Sequence, residues 1–433
     1  MNYKNGTPSS QMFVTQIINN FKDLCLNNMG ALKGFLQLSG VRGTQIVLGL
    51  ISTYFLAHSL SVDQYGEYQF ALNVLGILSL FSLTEFSNTV MQSVARGYRG
   101  SFRKILPYTF FSSIGGSLIL TLFSLWYGLK EENLLLMASF ITAALFFPFM
   151  YGLTIWRGFK IGEENFLSYT RLEIIGIVLT NALTLLSVYF FRGNYFAPFV
   201  GFIAIPALMN IFIILKILKR VPVGSAFEEG IIPHGVRSSL YASFPTASTY
   251  ADKILLFFFL SPSAVALYVA ADRMAELLRS AVQDAATALA PRFAKTTHYS
   301  DRLDKIFKLS SVVFGLALMV FAFTFLPFLI EAIYGEEYGK AVPYAQALVF
   351  SVAMGNLASL QFRYIRSKLD TNNFRNIMVV TSIFRILLSV ILIPAMGISG
   401  AVLSSVLYRA VLSFTTNLVI RKDYRKITVD VSE

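Results

Sequence analysis

An all-α protein that crosses a membrane many times is the fold this sequence predicts, and three observations carry the prediction. Twelve apolar stretches are each long enough to span a hydrocarbon core of ~30 Å. Only 14% of the residues are charged and 55% are hydrophobic, whereas soluble chains carry about 25% charged residues. The basic residues also alternate from loop to loop. With the N-terminus in the cytoplasm, 27 of the 36 Lys and Arg fall in cytoplasmic segments, six lie within apolar stretches, and only Lys130, Arg192 and Lys340 lie outside. Such a split is what orients membrane helices.

Residues 1–34 are polar, carry Lys4, Lys22 and Lys33, and have no short apolar run before a small-residue cleavage site, so they do not read as a cleaved signal peptide. Phe13, Ile17, Phe21 and Leu24 share one face of a short in-plane helix, with a loosely ordered tail as the alternative. The twelve spans are expected near 35–59, 68–91, 105–127, 134–156, 172–191, 196–215, 238–260, 264–290, 309–330, 341–362, 376–394 and 398–420. They divide into a six-helix bundle at 35–216, a basic cytoplasmic linker at 217–237, a second six-helix bundle at 238–420 and a cytoplasmic tail at 421–433. A spacing of 200 residues supports the division. Leu60, Ser61, Tyr68 and Ala71 recur as Leu260, Ser261, Tyr268 and Ala271. An even number of helices per half gives both halves the same orientation, related by an axis along the membrane normal.

The eighth span, 264–290, is the informative one. Its residues Asp272, Glu276, Arg279, Gln283 and Thr287 share a narrow helical face, with Arg273 and Asp284 beside it. At ~1.5 Å per residue the charges extend over roughly 18 Å, too deep for all of them to reach the interface by snorkelling. Laying this helix on the surface would invert every later loop and put Arg363, Arg366, Lys368 and Arg375 outside. It therefore spans, with its polar stripe facing protein or water.

Further charges lie within the spans: Arg42, Glu85, Asp252, Lys253, Arg385 and Arg409. Eleven charges at about 2.5–3.5 kcal/mol each would cost roughly 30 kcal/mol against lipid, more than a fold can offset. Five of the six cations are arginines, whose planar fork of donors suits phosphate oxygens. Arg42, Lys253, Arg273, Arg279, Arg385 and Arg409 are thus candidates for an anionic cargo, although Arg42 is near enough to the cytoplasmic end to snorkel. Glu85, Asp252, Asp272, Glu276 and Asp284 are candidates for tuning these cations or for carrying a coupling proton or Na⁺, with Glu85 alternatively pairing with Arg42.

The remaining composition excludes several classes. No Gly-x-x-x-x-Gly-Lys-Ser/Thr run provides for ATP. One cysteine, Cys25, rules out an internal disulfide or a cysteine metal cluster. His58, His234 and His298 sit at helix ends or in loops and form no metal set. The net charge of +12 is spread over the cytoplasmic loops and does not suggest nucleic-acid binding. No hydrolase pattern or extramembrane catalytic domain is present, so a transporter is expected rather than an enzyme such as a glycan polymerase or ligase, and no cofactor is expected.

Three stretches then resemble the polysaccharide flippases of bacterial envelope synthesis, the Wzx-type O-antigen and capsule exporters. They share a superfamily with multidrug extruders and lipid II flippases. The stretches are Leu56 to Tyr68, Asp252 to Leu255 with Leu260 to Arg273, and Phe328 to Ala341; Gly397 to Ala401 also fits. The resemblance implies two bundles around a central cavity in the bacterial inner membrane and a cargo of undecaprenyl-pyrophosphate-linked oligosaccharide. It also implies ion-driven alternating access, with a polysaccharide polymerase and a chain-length regulator as partners. Ion-coupled multidrug export is the alternative within the same architecture.

Overall fold

The computed structural model describes residues 29–295, 299, 301–367 and 371–430, with side chains in the eighth span described as far as Ser280 and at Gln283. The tail helix expected around Phe13 to Leu24 and the side chain of Asp284 lie outside the described residues. Fifteen α-helices are present among them: α1 (Met29–Ser59), α2 (Val62–Leu78), α3 (Phe86–Ala95), α4 (Gly100–Leu129), α5 (Leu134–Met150), α6 (Trp156–Gly162), α7 (Phe166–Phe190), α8 (Phe196–Arg220), α9 (Ile231–Phe259), α10 (Pro262–Lys295), α11 (Asp301–Thr324), α12 (Leu326–Tyr334), α13 (Val342–Ser367), α14 (Thr371–Met396) and α15 (Ile398–Asp430). The described residues contain no strand.

Helix occupies all twelve predicted segments, but three are broken. The second bends by 48° between α2, with its 3₁₀ extension Ser79–Ser82, and α3. Leu83 adopts the left-handed conformation there, and the hydroxyls of Ser82, Ser112 and Thr89 donate to the backbone carbonyls of Ser79, Phe81 and Glu85, meeting acceptors around the break. The fourth breaks after Pro148 near the end of α5, and the ninth breaks before α12, where Pro327 enters a new first turn. Among the described residues seven helices are long and apolar enough to cross a membrane, eight with the bent pair. α9 and α10 are less apolar because they carry the interior charges.

The same order of helix packing occurs twice. α1 lies on α7, α4 on α5, α5 on α8 and α7 on α8; later α9 lies on α14, α11 on α13, α13 on α15 and α14 on α15. Local devices recur in register. Ser61 accepts the Gln64 backbone N–H at 3.2 Å at the start of α2, and Ser261 accepts that of Ala264 at 3.2 Å at the start of α10. Gly193 and Gly397, each in a turn with positive φ, precede α8 and α15. α2 packs against both α9 and α10 and so joins the two sets. There Phe70 stacks on Phe257 at 3.6 Å, and Tyr65 meets Tyr334 and Tyr338 edge-on.

The segment between α8 and α9 is only 221–230, shorter than the linker expected over 217–237, because α8 continues to Arg220 and α9 begins at Ile231. It is docked rather than loose: Gly100 N–H donates to Ala226 O at 2.9 Å, Glu228 N–H to Ser101 Oγ at 3.0 Å, and Arg96 pairs with Glu228 at 2.8 Å. The Arg96 hydrogen bond holds the Glu228 carboxyl below its ordinary range. A lowered folded value means docking is aided above the unfolded carboxylate pKa and loses that aid as the pH falls through the folded one. Protease cleavage within 221–230 should therefore rise on acidification, and Glu228→Gln should be cut at the higher rate at every pH.

Candidate functional site

The interior charges gather on four helices of the later set. Asp252 on α9 is fully buried, and its Oδ2 accepts Tyr268 Oη of α10 at 2.6 Å and an Arg385 guanidinium N–H of α14 at 2.8 Å. Its Oδ1 accepts the Lys253 backbone N–H at 2.9 Å. Lys253 Nζ stands 3.6 Å from that oxygen but 2.9 Å from Asp272 on α10. Asp272 in turn lies 3.6 Å from Arg279, which reaches Glu276 at 2.6 Å. Arg385, Asp252, Lys253, Asp272, Arg279 and Glu276 thus form one run of alternating sign. Alternation is what lets charges persist away from water, since each desolvated ion has an opposite neighbour.

Three arginines in this region keep donors unmet. Arg279 Nε and Arg385 Nε are buried without an acceptor among the described residues. Arg409 on α15 is only 7% exposed, and among the described residues it has neither a carboxylate partner nor a hydrogen bond. Gly355 of α13 makes room for its guanidinium, because a Cβ there would stand 3.0 Å from an Arg409 nitrogen. Arg279 and Arg385 act on Arg409 as like charges.

A polar cleft of about 180 Å³ lies between α1 and α10, lined by Arg42, Gln45 and Gly49 on one side and Arg273, Glu276 and Ser280 on the other. Here charges from early and late helices face one space. Arg42 and Arg273 are exposed, and Glu276 is 47% exposed, so the end of the buried run opens on this cleft.

The structure therefore brings together Lys253, Arg279, Arg385, Asp252, Asp272 and Glu276, places Arg42 and Arg273 across the cleft, and leaves Arg409 alone behind them. Glu85 stands apart at the α2–α3 bend, where Asn88 Nδ2 donates to it at 2.9 Å; it does not pair with Arg42. Arg385, expected to face cargo because its own helix holds no acid, is met by an acid 133 residues away. Helical spacing could not reveal Tyr268 and Ser405 as its neighbours. Gln45 and Ser280 were also missed, although they follow Arg42 and Glu276 by three and four residues and share their faces.

The described residues thus form a helical bundle with a charged interior and a cleft between its two sets of helices. Residues 31–297 match the model of the polysaccharide biosynthesis protein family, and the chain belongs to that family. No curated protein matches the sequence. Among solved structures it is similar to a multidrug resistance MATE family transporter of the MOP superfamily in an inward-facing conformation, at 13% identity and TM-score 0.63, covering 88% of this chain and 96% of that one. It is also similar to the lipid II flippase MurJ in an inward closed conformation, at 16% identity and TM-score 0.62, covering 91% and 90%. A third is a MOP superfamily transporter from Pyrococcus furiosus described as having a binding pocket of reversed polarity, at 13% identity and TM-score 0.58, covering 90% and 96%. At these identities the likeness establishes the fold alone, the one these transporters share.

Proposed function

We propose that this protein is a flippase that moves undecaprenyl-pyrophosphate-linked oligosaccharide repeat units from the cytoplasmic to the periplasmic leaflet of the bacterial inner membrane. It builds O-antigen, capsule or a related surface polysaccharide, it is not an enzyme, and it works by alternating access driven by a proton or Na⁺. In this reading twelve spans form two parallel six-helix bundles with both termini in the cytoplasm, and the recurring packing order and register of capping residues support that division. A polymerase and a chain-length regulator receive the product.

The observation that carries the reading is Arg409, a buried guanidinium with no carboxylate at ion-pair distance among the described residues, near an Arg279 whose Nε also lacks an acceptor among them. A pyrophosphate oxygen supplies the missing acceptor, and Arg42 and Arg273 line the way in. Lys253 and the acids of α9 and α10 hold these arginines, and Glu276 and Asp272 can take up a cation when the cargo draws Arg279 away from them.

Deleting the gene should strand lipid-linked repeat units on the cytoplasmic side and remove the surface polysaccharide. Units exposed on the periplasmic side would point to a polymerase instead. Normal polysaccharide with new sensitivity to cationic drugs would point to multidrug export.

A further inference from the structure

The two sets of helices carry the same cross-bridge in two chemical forms. Ser52 and Asp252 each stand nine residues before a capping serine, Ser61 or Ser261. Asn181 and Arg385 each stand twelve residues before a left-handed glycine, Gly193 or Gly397. Ser52 Oγ donates to Asn181 Oδ1 at 2.7 Å across α1 and α7, and Arg385 donates to Asp252 at 2.8 Å across α9 and α14. One bridge is neutral and the other ionic, at matching points of matching helix pairs.

Packing these helices together therefore does not require charge. What differs is the neighbourhood. At the 200-residue spacing, Lys253, Asp272, Glu276 and Arg279 correspond to Thr53, Leu72, Gly76 and Ser79. The charged bridge occurs where the charged run occurs. We infer that Arg385 is a positioning residue: by occupying Asp252 it leaves Lys253 to Asp272, so that Arg279 stays on Glu276, which lines the cleft.

The sequence of contacts shows how. Arg385 and Tyr268 together occupy Asp252 Oδ2, and the Lys253 backbone N–H occupies Oδ1. The Lys253 ammonium is left to turn to Asp272 at 2.9 Å. Asp272, so engaged, is 3.6 Å from Arg279, too far for a hydrogen bond. Arg279 thus makes its close contact with Glu276, at the edge of the cleft. Without Arg385, Lys253 falls back on Asp252, Asp272 closes on Arg279, and Glu276 is left facing the cleft without its cation. The inference rests on the flippase reading for what the cleft receives, but not for how Arg279 is held.

The test replaces the ionic bridge with the neutral one, Asp252→Ser with Arg385→Asn, in a background carrying Cys25→Ser and Ser280→Cys. The double substitution removes one charge of each sign. The introduced thiol at position 280 lines the cleft beside Arg42, Arg273 and Glu276, and its labelling by anionic against cationic thiol reagents reads the potential there. The parent should favour the anionic reagent by about 10-fold, as a local potential of a few kT implies. Arg385→Asn alone should lower the melting temperature by at least about 5 °C, because it leaves Asp252 buried without its cation. It should also lose most of the anionic preference and of polysaccharide export, because Lys253 turns to Asp252 and Glu276 is uncovered. The double variant should recover both the melting temperature and the preference, because Lys253 then has only Asp272 to meet. An unchanged preference in Arg385→Asn overturns the inference, as does a parent with no preference. A double variant that melts as low as the single one, or that does not recover the preference, also overturns it, since the bridges would not be interchangeable. If deletion leaves no flipping defect, the functional reading fails and the labelling result still stands.

Discussion

Replacing Arg409 with methionine is expected to make the protein more stable and unable to carry its cargo. Burying an ion costs several kcal/mol, and this cost is normally offset by an opposite charge and well-formed hydrogen bonds. Arg409 is 7% exposed and has neither among the described residues, while Arg279 and Arg385 repel it. Methionine has a similar length, fills the space against Gly355 and carries no charge. The melting temperature should rise by a few degrees, and export should fall at least about 10-fold, corresponding to the loss of one contact of ~1.4 kcal/mol. Arg409→Lys keeps the charge but loses the planar fork, so it should fall between the two. Lower stability combined with normal export would mean that Arg409 is a structural residue. Gains in stability that abolish activity are a mark of groups held ready for a ligand.

Replacing Gly66 with alanine should damage the joint between the two sets of helices. A Cβ at this position would stand 1.9 Å from the carbonyl oxygen of Pro262, at the start of α10. The obstacle is backbone, which cannot swing aside as a side-chain tip does, so α2 and α10 must separate. Overpacking of this kind costs about 1–3 kcal/mol, or more where two backbones meet. The separation would also disturb the stack of Phe70 on Phe257 and the contacts of Tyr65 with Tyr334 and Tyr338. Gly43 of α1 is the control, since nothing lies within 4 Å of its added Cβ. There alanine should be neutral or favour the helix by up to about 1 kcal/mol. Equal melting temperatures for the two variants would mean that α2 and α10 can slide without loss.

The membrane-spanning helices were legible because hydropathy is a local property, summed over twenty neighbouring residues. Breaks in the second and ninth spans were less legible. Leu83 carries no glycine or proline signal, and its left-handed backbone is set by the bend itself. α9 and α10 show the reverse case. Their charges depress the hydropathy that would announce a span, and the alternation of basic loops was needed to identify them. In the site, the polar stripe of α10 followed from helical spacing. That Arg385 belongs to Asp252, and that Arg409 belongs to no acid among the described residues, did not.

By itself the chain determined that it is helical, that it lies in a membrane, where its apolar helices fall and which charges must be hidden from lipid. These depend on each residue's transfer free energy and on its immediate neighbours. Only the packed molecule decided which hidden charges meet. Asp252 and Arg385 are 133 residues apart, and their encounter depends on how α9 lies along α14, a matter of interlocking surfaces that no local pattern records. The same packing left Arg279, Arg385 and Arg409 with donors unmet among the described residues. The charges were written in the sequence, and which of their donors find an acceptor was decided only once four helices had closed around them.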